Sequence, residues 1–316
     1  YALACHNLRK PLRVAVVPQD KGVSVLRYLG HQYGEFSYSH LPEQMWAQTF
    51  AQMKRLRSKS EDKRQIHSRC YESVVIPRLK PGMRVLDFGA GQMDYVKKLK
   101  AEGHRIMGLE FYLRKPGSDD LNISLVQRHI TQLCKELRDN GPFDMVVCDS
   151  VLNSVTSVEA ENAVLTTVNA FCKLGGTMVF SGRSRSFSDR LTKKRRTSTG
   201  KTRDVWFLDK DGITAMYQRG IWLYQKFHSL EQVKELCRRF IGPKFEIIDH
   251  DGPLKDEIRA SSFAVVGKKS IELPRETVES ALKFEFNLPL PEGRRFGRNQ
   301  DICNAIQSAK TAPVTV

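Results

Sequence analysis

The chain has 316 residues, 41% of them hydrophobic and 27% charged, a balance that fits a folded globular protein and excludes a wholly disordered one. Its 51 Lys and Arg outnumber its 35 Asp and Glu, and the formal charge of +16 makes a polyanion such as nucleic acid the first partner to expect, with a merely solubilising basic surface as the plainer alternative. The seven cysteines are scattered without a Cys-x-x-Cys pair, and no apolar stretch reaches the roughly 18 residues of a membrane span, so we expect reduced thiols, no metal site, no membrane contact and a cytoplasmic location.

Residues 1–40 read as an extension with a strand at "LRVAVVPQD", and residues 41–80 as a helical cap made of "LPEQMWAQTFAQMKRLRS" and "SEDKRQIHSRCYESVVIPRL". From Arg84 short apolar runs alternate with helical patterns, which is how a parallel sheet covered by helices is written in sequence. Strands are predicted at Arg84 to Phe88, Arg105 to Phe111, Ile123 to Gln127, Phe143 to Asp149 and Gly176 to Ser181. Helices fall at "DYVKKLKAEG" and "SVEAENAVLTTVNAFCK", with Gly103 and the pair Gly175-Gly176 as stops.

Residues 182–227 interrupt this alternation. The insertion opens with "GRSRSFSDRLTKKRRTSTGKTR" and continues as an aromatic hairpin turning at Asp211-Gly212 or near Arg219-Gly220. Its basic residues, Lys194, Arg195 and Arg196 among them, can neutralise phosphates, and Trp206 and Trp222 can stack on bases. A solvated loop and hairpin aromatics packed on the core are the structural alternatives. A helix follows at "HSLEQVKELCRRF", capped by Ser229, and then two strands, "KFEIIDHD" and "SSFAVVGKK", so the sheet is mixed rather than wholly parallel. Residues 271–316 read as a C-terminal helix and a loop-rich tail.

The stretch "VLDFGAGQMD", Val85 to Asp94, joins the first core strand to its helix through Gly89 and Gly91. Glycines there let backbone N–H groups approach a ligand closely. Asp87 and Asp94 bracket the turn with negative charge, which would repel a pyrophosphate and welcome the sulfonium and ammonium of S-adenosylmethionine. Glu110, at the end of the second strand, stands where a carboxylate can accept hydrogen bonds from both ribose hydroxyls.

With these residues the sequence resembles the class I S-adenosylmethionine-dependent methyltransferases, whose first motif is matched at Asp87, Gly89 and Gly91, with Met93 in place of the last glycine. The resemblance covers roughly Arg84 to Lys269. It implies an α/β fold, a Rossmann-like, doubly wound, mostly parallel seven-stranded sheet with a reversed C-terminal strand pair, over residues 81–270. It also implies that Asp87 lies near the methionine moiety, that Glu110 binds ribose, and that Gly89 and Gly91 line the cofactor. The family's adenine-contacting acid after the third strand has no match, since "LVQRHITQL" offers Arg128 and His129 instead.

The acceptor should lie beyond the carboxyl ends of the strands, where "CDSVLN" places Asp149 and Asn153 against cofactor or acceptor as the candidate catalytic pair. Cys148 lacks the preceding proline of a nucleophilic cysteine and reads as structural; His129 and His228 can be general bases or structural histidines. Three functions are therefore weighed: methyl transfer to nucleic acid, methyl transfer to a small molecule or protein, and a nucleic-acid-binding module with a vestigial pocket.

Overall fold

The computed structural model describes residues 68–116, 121–155, 158–185, 206–207, 212–218, 221–249, 262–288 and 295–311. The strand expected at "LRVAVVPQD" and all but the end of the helical cap lie outside the described residues. From the cap, Tyr71–Val75 and Ile76–Arg78 form the last helical turns, burying Tyr71, Val74 and Val75.

The first strand, β1 (Arg84–Phe88), is buried from Val85 onward, as a central parallel strand must be. It pairs in parallel with β2 (Arg105–Leu109) on one side and β3 (Phe143–Cys148) on the other. Next to β3, also parallel, comes the long β4 (Cys172–Ser184). Helices α1 (Asp94–Ala101), α2 (Ile123–Asn140) and α3 (Val158–Phe171) make the crossovers.

Two features differ from the sequence expectation in this half. The strand expected at Ile123 to Gln127 is the first turn of α2: the Asn122 side chain accepts a hydrogen bond from the N–H of Leu125 at 3.2 Å, and Val126, Ile130, Leu133 and Leu137 are buried at helical spacing. A short apolar run carries no period of its own, and the cap decides it. Gly175 and Gly176 are not helix stops either; α3 leads directly into β4, within which the Gly175 N–H donates to the carbonyl of Lys269 at 2.8 Å.

Beyond β4 the insertion contributes β5 (Trp206–Phe207), β6 (Ile213–Gln218) and β7 (Ile221–His228), paired antiparallel, with Gln218 opposite Ile221. Among the described residues this small ladder pairs with the main sheet at the tip of β4, where Arg183 and Ser184 pair with Phe227 and His228. Helix α4 (Leu230–Phe240) opens with a capping box between Ser229 and Gln232, as its sequence predicts. Then β8 (Phe245–Asp249) and β9 (Ser262–Lys268) complete the order β2-β1-β3-β4-β9-β8, in which β9 runs antiparallel to both neighbours. The Rossmann-like, mostly parallel sheet closed by a C-terminal strand pair is the architecture expected; within that pair β9 runs against its neighbours and β8 runs with β4.

The C-terminal region holds α5 (Arg275–Phe286), which packs on α3, and α6 (Asn299–Thr311), which packs on α2. The tail read as loop-rich thus contains a helix with Ile302, Cys303, Ala305 and Ile306 buried. Phe286 closes the contact, standing edge-on to Phe111 at 5.3 Å and to Phe171 at 6.0 Å between ring centres.

Candidate cofactor and acceptor site

The carboxyl ends of β1, β2 and β3 converge on the glycine turn. Gly89 and Gly91 have φ of +82° and +55°, and the N–H groups of Gly89 and Ala90 both donate to the Leu109 carbonyl, at 2.8 and 3.0 Å. A Cβ on Gly89 would overlap the Val151 side chain, so this glycine also makes room for the loop after β3.

Met93, standing where the family motif has glycine, adopts the left-handed conformation with φ 61° and ψ 25°. That backbone costs a side-chain-bearing residue about 1–2 kcal/mol. Burying a methionine returns about 1.5–3 kcal/mol, and Met93 is buried, its thioether lying over Gly108, which has no Cβ to obstruct it. The departure from the motif is thus compensated by a second glycine on β2.

Glu110 is buried and already oriented by backbone: Oε2 accepts from the Gly91 N–H at 2.9 Å and Oε1 from the Tyr112 N–H at 2.8 Å. Each carboxylate oxygen keeps a further lone pair for ligand hydroxyls. Burial pushes the Glu110 carboxyl up to about 7, against the lowering pull of the Tyr112, Gly91 and Phe111 N–H groups. Burial likewise pushes Asp87 up to about 7; Tyr71 offsets part of the shift, and the negative fields of Asp149 and Glu110 add to it. The Tyr71 hydroxyl lies beside Asp87 outside strict hydrogen-bond geometry, and neither Tyr71 Oη nor Asp87 Oδ1 makes a well-formed hydrogen bond among the described residues.

Three buried or half-buried carboxyls around one turn would repel a phosphate. A ligand bringing positive charge and hydroxyl donors would relieve both the unfavourable ionisation and the orphaned Asp87 oxygen, and S-adenosylmethionine has these groups.

Asp149 sits at the end of β3 and is held by hydroxyls from three parts of the chain. Its Oδ2 accepts from Ser68 Oγ at 2.6 Å, and its Oδ1 accepts from Ser181 Oγ at 2.5 Å and Ser150 Oγ at 3.2 Å. The Ser150 N–H donates to Ser181 Oγ at 2.7 Å, with Ser150 itself at φ 61°. Ser68 ties the end of the cap to this group, its N–H donating to Tyr95 Oη at 2.8 Å. Tyr95 in turn donates to Glu72 Oε1 at 2.8 Å and stacks on Tyr71, ring centres 4.1 Å apart and planes within 10°.

The structure thus assembles Asp87, Gly89, Gly91 and Glu110 at one turn, with Asp149 on the adjoining strand end. Asn153 is buried in the short Leu152–Ser154 turn that packs on β4 and β7. Lys194, Arg195 and Arg196 lie outside the described residues, while Trp206 and Trp222 fall on β5 and β7. Cys148 is fully buried and burial pushes its thiol well above the ordinary range, so it is no nucleophile. His228 is also fully buried, its Nε2 bonded to Glu161, which takes Lys226 on its other oxygen. His129 is half-buried, and burial and the nearby Arg128 and Lys100 lower its pKa.

Sequence reasoning missed Ser68, Tyr71, Tyr95 and Ser181. They belong to no motif; what was readable was the apolar spacing of Tyr71, Val74 and Val75, which marks a buried helical face without saying that it abuts Asp87.

A family model described as "Methyltransferase domain" matches residues 56–240. Among solved structures, the PH0226 protein of Pyrococcus horikoshii OT3 is similar at 14% identity with a TM-score of 0.45, covering 67% of this chain and 94% of that one. A S-adenosylmethionine-dependent methyltransferase of Clostridium acetobutylicum is similar at 11% identity and TM-score 0.37, covering 77% and 98%. The 1,6-didemethyltoxoflavin-N1-methyltransferase of Burkholderia thailandensis, solved with its substrate and S-adenosylhomocysteine, is similar at 15% identity and TM-score 0.36, covering 83% and 95%. No curated protein matches. Among the described residues no helix is long and apolar enough to cross a membrane.

Proposed function

Because this chain belongs to the methyltransferase-domain family, we propose that it transfers a methyl group from S-adenosylmethionine to a nucleic acid. When bound, S-adenosylmethionine supplies a methyl group on a positively charged sulfur. The observation that carries the cofactor half is the pair of buried carboxyls at the glycine turn, Asp87 and Glu110, the first with an oxygen awaiting a donor. Asp87 would hold the ligand's cationic end, and Glu110, fixed by the Gly91 and Tyr112 N–H groups, its ribose hydroxyls. Asp149, engaged by three serine hydroxyls, would hold the loop after β3 in place rather than remove a proton.

A pH dependence follows. Both carboxyls titrate near 7 in the folded chain and near the ordinary carboxylate range when unfolded. The unliganded fold therefore binds the extra protons, and its stability falls as pH rises from about 4 to about 7. A cationic ligand favours ionised Asp87, so affinity should rise over the same approach to neutrality and level off above it. Calorimetry with S-adenosylhomocysteine, whose ammonium remains, should show several-fold tighter binding at about pH 8 than at about pH 6, and Asp87→Asn should flatten the profile.

The acceptor half rests on the formal charge of +16 and on the run of basic residues that follows β4 in the sequence. Such basic groups would take up phosphates and bring a base toward the methyl donor. The absence of an Asn/Asp-Pro-Pro-aromatic motif after β3 favours the second reading, a small-molecule or protein acceptor. Binding of labelled RNA and DNA over a salt series separates the two. A nucleic-acid enzyme should lose affinity steeply with salt, and Lys194→Ala/Arg195→Ala/Arg196→Ala should reduce the slope by about 2–3. A protein that binds S-adenosylhomocysteine but neither nucleic acid at low salt refutes the nucleic-acid acceptor.

A further inference from the structure

The groups around the glycine turn are covered: Tyr71 is 2%, Asp87 4% and Glu110 6% exposed. A ligand the size of a nucleoside thioether reaches such groups only when an element moves aside. Strands β1, β2 and β3 are fixed to one another in parallel ladders. The end of the cap, Ser68 to Val75, is instead held by side chains. At its far end Val74 and Val75 are fully buried. At its leading end Ser68 donates its N–H to Tyr95 Oη at 2.8 Å, while its Oγ donates to Asp149 Oδ2 at 2.6 Å and accepts the Tyr71 N–H at 3.2 Å. One hydroxyl thus caps the helical turn and ties it to the end of β3, and a hydrogen bond to a carboxylate is of the strong kind. Glu72 adds a weaker tie, accepting from Tyr95 Oη at 2.8 Å with Lys98 Nζ 3.6 Å away. Between the two ends the Tyr71 ring stacks on Tyr95 and lies beside Asp87.

Resting on the cofactor reading above, we infer that Ser68 to Val75 is a strap over the methyl-donor site, hinged at its buried Val74–Val75 end, and that the Ser68–Asp149 hydrogen bond is the latch that opens for the donor to enter and its product to leave. Asp149 then receives the latch as well as supporting the loop after β3. The latch is closed with and without ligand, so it governs how fast the donor exchanges and leaves its affinity nearly unchanged.

Stopped-flow kinetics of S-adenosylhomocysteine binding test this. In wild type the observed rate should level off as ligand concentration rises, at the rate of strap opening. A rate that keeps rising in proportion to concentration means that no opening step precedes binding, and overturns the inference. Ser68→Gly removes the tie while glycine still serves as a cap, and Ser68→Thr keeps the hydroxyl. Ser68→Gly should raise the plateau and the dissociation rate constant together by about tenfold or more, the size of a hydrogen bond to a charged group, with the dissociation constant within about threefold of wild type. Ser68→Thr should behave as wild type. Ser150→Ala takes a hydroxyl from the same carboxylate outside the strap, at the longer distance of 3.2 Å, and should change both rates by less than about twofold. Unchanged rates in Ser68→Gly, a rise in dissociation alone, or an equal rise in Ser150→Ala would overturn the latch while leaving the cofactor assignment standing. A folded wild type that binds no S-adenosylhomocysteine would overturn the cofactor assignment itself, and the latch with it.

Discussion

Glu161→Ala is expected to lower the stability of the protein by about 3–5 kcal/mol, the usual consequence of leaving a buried charge without its counter-charge. Glu161 on α3 is 3% exposed and its two oxygens meet Lys226 Nζ and His228 Nε2, themselves 2% and 0% exposed. Burial alone would push the Glu161 carboxyl up; His228 and Lys226 reverse this and hold it below the ordinary value. Its contribution is accordingly present above the ordinary carboxylate range and is lost as pH falls through its own lowered value. In the alanine variant the Lys226 ammonium is stranded without its carboxylate. Urea denaturation followed by circular dichroism should show the loss, and adding Lys226→Met should restore much of it, because removing both charges is far cheaper than removing one. A single variant within about 1 kcal/mol of wild type would mean that water reaches Lys226.

Glu110→Gln is the second large effect, and it falls on binding. Glutamine keeps one oxygen for either the Gly91 or the Tyr112 N–H but presents an amide NH2 to the other, so one backbone donor loses its acceptor. Ligand hydroxyls lose a charged acceptor at the same time, worth about 1.5–3 kcal/mol, or roughly ten- to hundred-fold in affinity. Calorimetry with S-adenosylhomocysteine at about pH 8, where Glu110 is ionised, measures this directly. Affinity within about twofold of wild type would remove Glu110 from contact with the ligand.

Much of the sheet is legible in the sequence because β1, β3 and β4 each carry a short apolar run, Val85-Leu86, Met145 to Cys148 and Met178 to Phe180, and because Asp87 follows the first of them in a position no core would choose. The glycine turn is legible for the same reason: Gly89 and Gly91 stand between a strand and a helix. Ile123 to Gln127 misleads because three apolar residues in so short a stretch, Ile123, Leu125 and Val126, satisfy a strand and a helix equally, and only Asn122 acting as a cap distinguishes them. The α6 helix hides behind "PLPEGRRFGRNQ", whose prolines and glycines end at Gly297, two residues before the helix starts at Asn299. The serines around Asp149 and the Tyr71 hydroxyl beside Asp87 are matters of three-dimensional meeting. Ser68, Ser150 and Ser181 are separated by 82 and 31 residues, and no local pattern connects them.

The way the β5-β6-β7 ladder is attached has an evolutionary reading. Its strand β7 meets the tip of β4, the Leu152–Ser154 turn and Glu161, while β5 and β6 pair only within the ladder among the described residues, and the glycine turn is built from β1 and β2. Outer strands joined in this way can be lengthened, shortened or exchanged between lineages without disturbing the glycine turn, provided that Lys226 and His228 survive to meet Glu161. Descendants of one ancestral scaffold could in this manner acquire new acceptors by trading a peripheral graft while the catalytic chassis stays unchanged.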